Sequence, residues 1–480
     1  METVFKMEES KLENEEKVAT KVSLDTIPGF PEFSINETIV LNRVKSMIQD
    51  VYELYGYVPF DTRLVELDEV LNQKGIDSKE LFSLNWLSKG VEYEPGEARR
   101  KLALRFDLTV PMARYIAQNK NYISFPVKRY QIQKVYRAEG PKVAQGRFNE
   151  FYQCDIDVVG FNTLDISYDS EFPAIVYTIF KKVFCVDRFV MRISNRKLLE
   201  GLFRENGLEK VEIIKRAIKI IDDIEKVEKE TTLFRLDEIG INIENAEKLL
   251  ILFKEIYART PSEAVQFIKL CDFRDKQLLE GIDELESVVK GIIANGVSEE
   301  YFKVDARIAR GLDYYTGTVY ETNLLDNMEI GSVCSGGRYN DLVSTLSGNP
   351  RDKYPGVGLS IGLTRLVPTL INAGYLNADS QTIADVLVTC QDKKYISSYQ
   401  SVATKLRSSG IKTDVYLNKN VKLPKQLDYA NKKKYKYVII ANKYEFDEDE
   451  VVVRDMETSE QEKIKINDLV NYFTVERLNS

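Results

Sequence analysis

Residues 128–159 read KRYQIQKVYRAEGPKVAQGRFNEFYQCDIDVV. Two runs in this stretch alternate with period two, the spacing of a strand, and Gly140-Pro-Lys-Val-Ala-Gln-Gly146 between them has the composition of a hairpin loop. In the first run Tyr130, Ile132 and Tyr136 share one face, and Arg129, Gln131, Gln133, Arg137 and Glu139 share the other. In the second, Phe148, Tyr152, Cys154, Ile156 and Val158 take one face. Arg147, Asn149, Phe151, Gln153, Asp155 and Asp157 take the other. Two readings of the polar faces stand side by side. A half-exposed antiparallel sheet would turn them to water. A ligand platform is the alternative: Gln, Asp and Arg suit a solvated strand face less well than Thr or Lys, and the faces are mixed in sign.

Upstream of this hairpin, Ser34-Ile-Asn-Glu37 has the form of a capping box. Val40, Val44, Met47, Ile48, Val51, Leu54 and Tyr55 follow at helical spacing, and Gly56 is a stop signal. Tyr57–Phe60 reads as a short strand. Residues 100–118 read as a strand running into a helix that holds Met112, Ala113, Tyr115 and Ile116. Downstream, residues 196–300 change character. Leu208–Val227 and Ala246–Ile256 are charged and amphipathic at period 3.6, which predicts a helical insertion. Residues 301–375 return to strands and Gly-rich turns. A small-residue linker follows, and residues 383–480 alternate strand and helix as an α/β module.

The chain has 480 residues, enough for about three domains at ~150 residues each. Hydrophobic residues at 44% and charged residues at 30% are ordinary soluble usage. The net charge of −8 excludes a generally basic nucleic-acid coat but leaves room for a locally basic RNA site. Five cysteines stand far apart with no CxxC pair, so a zinc knuckle or disulfide framework is not expected and a reducing cytoplasm fits. No apolar run approaches the ~18 residues of a membrane span. Residues 1–24 read as a solvated, disordered tail without the apolar core of a signal peptide, and 25–195 as the first part of a folded domain. There are no histidines at all. Ser–His–Asp and Cys–His pairs, HExxH zinc sites and any His general base are therefore excluded.

Three further segments carry chemistry. Arg310-Gly-Leu-Asp-Tyr-Tyr-Thr-Gly-Thr-Val-Tyr-Glu321 clusters polar aromatics around an arginine, a fixed cation for phosphate or carboxylate. Gly336-Gly-Arg-Tyr339 precedes an apparent helix, Asn340–Leu346, where glycines and a helix N-terminus favour an anion. Gly356-Val-Gly-Leu-Ser-Ile-Gly-Leu-Thr-Arg-Leu366 is a Gly-punctuated strand entering a helix with Arg365 in its first turn. That charge opposes the helix dipole unless an anion binds between them. The segment fits neither a Walker A loop nor a dinucleotide fingerprint.

On these residues the chain resembles the histidyl-tRNA synthetases, class II aminoacyl-tRNA synthetases, over roughly 25–475. RGLDYYTGTVYE (310–321) and SGGRYNDLV (335–343) look like the two family signatures. YRAEGPKVAQGRFNEFYQCDIDVVG (136–160) resembles motif 2 and GVGLSIGLTRL (356–366) motif 3. LRFDLTVPMARY (104–115) is similar to the histidine-pocket segment, and GFPEF (29–33) with YGYVPFDTRLVEL (55–67) to motif 1. The resemblance implies an α+β catalytic domain built on an antiparallel sheet, a helical insertion and a C-terminal α/β anticodon-binding domain. It also implies ATP-dependent activation of L-histidine to histidyl-adenylate and its transfer to tRNA(His).

Residue by residue, it puts Arg137 at the α-phosphate and carboxylate, Glu139 and Phe151 at adenine, Arg365 at the γ-phosphate and Arg310 at the α-phosphate. Asp107, Thr109, Gln153, Asp157, Tyr314 and Tyr315 would form the histidine pocket. Gln145 and Asn149 would meet the acceptor end of the tRNA, at positions where many relatives carry basic residues, and Gln426 and Glu445 the anticodon. Eight lysines between Ile411 and Lys436, interleaved with Tyr416, Tyr429, Tyr435 and Tyr437, are a candidate single-stranded RNA surface. Arg63 stands where motif 1 usually has proline. ATP with Mg²⁺ is the expected co-substrate, with no tightly bound cofactor and no membrane partner, and a homodimer in the cytoplasm is expected. The alternatives are a histidine-binding paralogue resembling the regulatory subunit of ATP phosphoribosyltransferase, and an adenylate-forming relative that does not charge tRNA.

Overall fold

The computed structural model describes residues 24–72, 80–85, 101–138, 140, 146–308, 315–349, 351–418 and 421–479. Four short strands come first: β1 (Val58–Pro59), β2 (Val65–Leu67), β3 (Ser83–Leu84) and β4 (Leu102–Leu104). The two period-two runs become β5 (Val127–Tyr136) and β6 (Glu150–Val159), paired antiparallel along their whole length. With β7 (Phe189–Asn195), β8 (Phe302–Val304), β9 (Tyr315–Leu324), β10 (Cys334–Tyr339) and β11 (Gly356–Gly362) they build an eight-stranded sheet of order β1-β5-β6-β11-β10-β9-β7-β8. The six central strands are antiparallel. β1 and β8 flank them in parallel. β2, β4 and β3 form a separate small sheet.

The alternation of β5 and β6 fixes which face is which. Tyr130, Cys154, Ile156 and Val158 enter the main hydrophobic core. The helix Ile35–Leu54 packs there through Val40, Leu41, Val44, Ile48, Val51 and Tyr52, and the predicted capping box of Ser34 with Glu37 is present. The opposite face is polar but not solvated: Arg129, Gln131, Gln153, Asp155 and Asp157 are all buried. The reading as a water-facing sheet is thus set aside, and the physical reason is coverage. Residues 105–112 fold over this face, where the Arg129 side chain donates to Leu108 O at 3.3 Å and points Nε at Met112 Sδ. The strand register then lines up one polar row across six strands: Gln131, Asp155, Ser360, Ser335, Glu321 and Arg192 stand opposite one another in turn.

Six helices lie between Arg196 and Ala294. Their apolar residues, such as Leu199, Phe203, Leu278 and Leu285, share one hydrophobic core with the sheet residues Ile193 and Val304. Beyond the linker, β12 (Val386–Val388), β13 (Thr413–Val415), β14 (Tyr437–Ile440), β15 (Glu450–Asp455) and β16 (Gln461–Lys465) make a second sheet of order β13-β12-β14-β15-β16. Its first three strands are parallel, with the helices Ile396–Ser408 and Leu423–Lys433 between them. Separate hydrophobic clusters form around Val386, Val388 and Leu406, and around Leu387, Ala430 and Val438. The antiparallel β15–β16 hairpin is absent from the sequence reading, because Gln461–Lys465 is almost wholly polar and exposed and only its pairing makes it a strand.

Candidate functional site

Over the polar face of the large sheet lie two cavities, of about 270 and 390 Å³, that share Arg137, Gln153, Ser335 and Ser360 in their walls. The inner, smaller one is acidic. Asp107 sits just before the helix Thr109–Asn119, and its Oδ1 accepts the Val110 N–H at 2.9 Å. Burial pushes the Asp107 carboxyl up, against the pull of that backbone bond and of Arg137 and Arg129. Asp157 pairs with the fully buried Arg129 at 2.5 Å and accepts the Tyr339 hydroxyl at 2.9 Å. Burial nevertheless raises it to about 6, and raises its strand neighbour Asp155 to about 7. Gly358 stands opposite Asp157, and a Cβ there would lie 2.0 Å from its Oδ1, so the carboxylate occupies the space that a side chain would need.

The outer cavity is basic and aromatic. Arg137, Arg147, Arg365, Phe148 and Phe151 line it. Arg365 lies in the first turn of the helix Leu363–Asn372 and donates to Gly146 O at 3.2 Å and Ser332 O at 2.9 Å. The Arg137 guanidinium rests 4.3 Å from the Phe106 ring and 5.1 Å from Phe151. Three guanidiniums beside flat aromatic rings suit a polyanion attached to a planar base. The acidic inner cavity suits a small polar cation.

The residues expected around histidine that are described, Asp107, Thr109, Arg137, Gln153, Asp157 and Tyr315, all line the inner cavity. Arg137, Phe151 and Arg365 line the outer one. Glu139, Gln145, Arg310 and Tyr314 lie outside the described residues. The sequence reading missed Asp155, Ser335, Tyr339 and Ser360 as site residues. Asp155 was legible, since it alternates in phase with Gln153 and Asp157. Ser360 comes opposite Asp155, and Ser335 opposite Ser360, only through pairing between strands distant in sequence.

Four expectations are corrected. Gly336-Gly-Arg-Tyr339 is part of strand β10, not the approach to an anion-binding helix, and the helix after it is Leu342–Ser347. Arg338 is consumed by Asp169, to which Nη2 donates at 2.6 Å, and by the carbonyls of Leu164 and Asp165. Gln426 is 0% exposed, and its amide closes a loop by bonds to Cys390 N, Cys390 O and Val421 O, so it does not present itself to RNA. Glu445 caps its own helix by accepting the Asn442 N–H at 2.9 Å. Asn149 turns against Gly29, to whose carbonyl its N–H donates at 2.7 Å, rather than toward a passing ligand.

Of the lysines on the C-terminal module, Lys412, Lys422, Lys425, Lys432, Lys434 and Lys436 are exposed. Lys419 lies outside the described residues. Tyr429 stacks edge-on against Tyr416 at 5.1 Å, with the Lys433 ammonium 5.0 Å from its ring. Tyr435 is buried and donates to Asp414 at 2.7 Å. The surface is basic, but its aromatics are partly spent on their own small core. No helix among the described residues is long and apolar enough to cross a membrane.

Comparison with known proteins agrees with this geometry. Residues 29–366 match the family model described as histidyl-tRNA synthetase, and residues 385–476 match that of an anticodon binding domain. A histidine–tRNA ligase of Clostridium tetani is 40% identical over 447 residues, covering 92% of this chain and 96% of that protein. The crystal structure of histidyl-tRNA synthetase from Nostoc sp. PCC 7120 superposes with a TM-score of 0.82 at 36% identity, over 95% of this chain and all of that one. A structure from Bacillus halodurans described as an ATP phosphoribosyltransferase regulatory subunit/histidyl-tRNA synthetase shares the fold, with a TM-score of 0.68 at 18% identity. Matched along nearly its whole length in sequence and in structure, the chain belongs to the histidyl-tRNA synthetase family.

Proposed function

We propose that the two cavities divide one reaction between them. The chain ligates histidine to tRNA at the expense of ATP. In this reading the inner cavity holds histidine and the outer one ATP, and Arg137, shared by both, is where they react. That shared arginine is the observation that carries the reading. The histidine carboxylate is ionised at neutral pH and is itself the nucleophile, so no base is needed, in keeping with a chain that has no histidine. Catalysis is then positioning plus stabilisation of charge at phosphorus. Arg137 bridges the carboxylate and the α-phosphate, Arg365 holds the γ-phosphate, and Phe151 stacks on adenine. Arg310 and Glu139 complete the phosphate and adenine contacts. Asp157, Tyr315 and Tyr314 read the imidazole, and Asp107, Thr109 and Gln153 the amino-acid backbone. Mg²⁺ arrives with ATP as part of the substrate.

The lysines of the C-terminal module meet the anticodon, and Gln145 meets the acceptor end. The chain works in the cytoplasm, for which five free cysteines are the support. Two copies associate through the motif 1 region. The helix Ile35–Leu54 spends its apolar stripe on its own core, so the support for a dimer is instead the exposed Leu54, Val58 and Leu64, which follow one another in the chain through the motif 1 region. Histidine-dependent ATP–pyrophosphate exchange, followed by charging of total tRNA, tests the whole reading. Both activities are expected. Exchange without charging would point to an adenylate-forming relative, and neither activity to a histidine-binding regulatory subunit.

A further inference from the structure

Strand β11 lies between β6 and β10 and carries glycine at 356 and 358, two positions on one face. Tyr339 on β10 stands opposite Gly356, and Asp157 on β6 stands opposite Gly358. Each glycine is a socket. A Cβ on Gly356 would collide with the Tyr339 phenol, whose hydroxyl oxygen would lie 2.8 Å away, and a Cβ on Gly358 would collide with the Asp157 carboxylate. Two side chains thus lean over β11 from the strands on either side of it. They meet there, where the Tyr339 hydroxyl donates to Asp157 Oδ1 at 2.9 Å. Both residues line the inner cavity, and they are 1 and 2% exposed.

Glycine inside a strand costs stability and marks a place of close approach. Here two glycines make room for one hydrogen bond. The other carboxylate oxygen, Asp157 Oδ2, pairs with the buried Arg129 on β5 at 2.5 Å. One ion pair leaves a carboxylate free to turn about it. A second bond, from the opposite side of β6, fixes its plane.

We infer that Tyr339 is a positioning residue for histidine: its phenol, seated over Gly356, holds the Asp157 carboxylate in the orientation that meets the imidazole. This rests on the reading of Asp157 as an imidazole contact and adds to it the residue that aims it. The groups facing Asp157 are Arg129 on β5, Tyr339 on β10, Asp107 ahead of the helix Thr109–Asn119, Asp155 on its own strand and Tyr57 before β1. Burial raises the Asp157 carboxyl to about 6, and the Tyr339 bond works against that rise. Without the hydroxyl the carboxyl therefore titrates higher still, and less of it is ionised at acid pH.

The test compares the full wild-type chain with Tyr339→Phe in histidine-dependent ATP–pyrophosphate exchange at pH ~6 and pH ~8. Phenylalanine keeps the ring over Gly356 and removes only the hydroxyl. The titrations of free histidine and of ATP are common to both chains and cancel in the ratio. Tyr339→Phe should lower kcat/KM for histidine about tenfold at pH ~6 and about threefold at pH ~8, with KM for ATP within about twofold of wild type. A loss of the same size at both pH values, an equal rise in both KM values, or no loss would overturn the inference and leave the histidine site in place. Asp157→Asn separates the two failures. If it leaves kcat/KM for histidine at the wild-type value, the reading of Asp157 falls and the inference with it.

Discussion

Two buried arginine–carboxylate clusters lie on the same sheet, and they are built to opposite ends. Around Arg338 everything is closed. Its Nε lies 3.1 Å from both Asp169 oxygens, Nη2 reaches Asp169 and Asp165 O, and Nη1 reaches Leu164 O. Around Asp107, Gln153 and Asp155 one buried oxygen of each side chain has no hydrogen-bond partner among the described residues. A buried polar cluster whose valences are all met can only hold the fold. One with acceptors left unmet costs stability. The contrast sorts two arginines that look alike in the sequence, Arg338 after paired glycines and Arg365 after another Gly-rich strand.

The sharpest way to break the contrast is to open the closed cluster. Arg338→Ala strands Asp169, which is 0% exposed, and should cost about 3–5 kcal/mol of stability. Thermal unfolding would record a large fall in Tm, while KM for ATP and histidine in the fraction that still folds should stay near wild type. A small change in Tm with a large change in KM would mean that Arg338 belongs to the site. Arg137→Ala should do the reverse. Exchange should fall by on the order of 10²–10³, the loss typical of one electrostatic contact made in the transition state. Tm should move little, because among the described residues this guanidinium has one hydrogen bond, from Nε to Phe106 O at 3.3 Å, and otherwise lies against the Phe106 and Phe151 rings and within the field of Asp107.

The smallest effect is the most specific. In the ligand-free chain Asp155 is raised to about 7 and Asp157 to about 6, from about 4 for an ordinary carboxylate. The folded state therefore binds more protons than the unfolded state between pH ~4 and ~7, so these groups make stability fall as pH rises through that window. Asp155→Asn removes the Asp155 share. Its Tm should exceed that of wild type by an amount that grows from pH ~4 and levels off above pH ~7. A Tm difference independent of pH would show that the carboxylate is not held in the protonated form.

Much of this was legible in the sequence because period-two alternation is a local signal. It put Gln153, Asp155 and Asp157 on one face of one strand before any pairing was known. Capping chemistry likewise marked the helix at Ser34, and the glycine spacing of 356–362 marked β11 with Arg365 after it. What alternation could not convey was cross-strand company. Ser360 stands opposite Asp155, and Ser335 opposite Ser360, through strands far apart in sequence, and Arg338 meets Asp169 across a sequence separation of 169. Gln426 misled for a related reason. It sits in a lysine-rich helix that reads as surface, and only the approach of the Cys390 and Val421 backbone turns that side of the helix inward.

Gly358 adds a point about how this pocket can change over generations. The place where a side chain would stand is filled by the Asp157 carboxylate, so Gly358→Ala can only displace what is there. Glycine has nothing further to shed, and no mutation at 358 can widen the pocket. The position works as a one-way ratchet. A lineage drifting toward a bulkier substrate has to find its room elsewhere, in walls that can shrink, such as Tyr339, Tyr315 or Thr109.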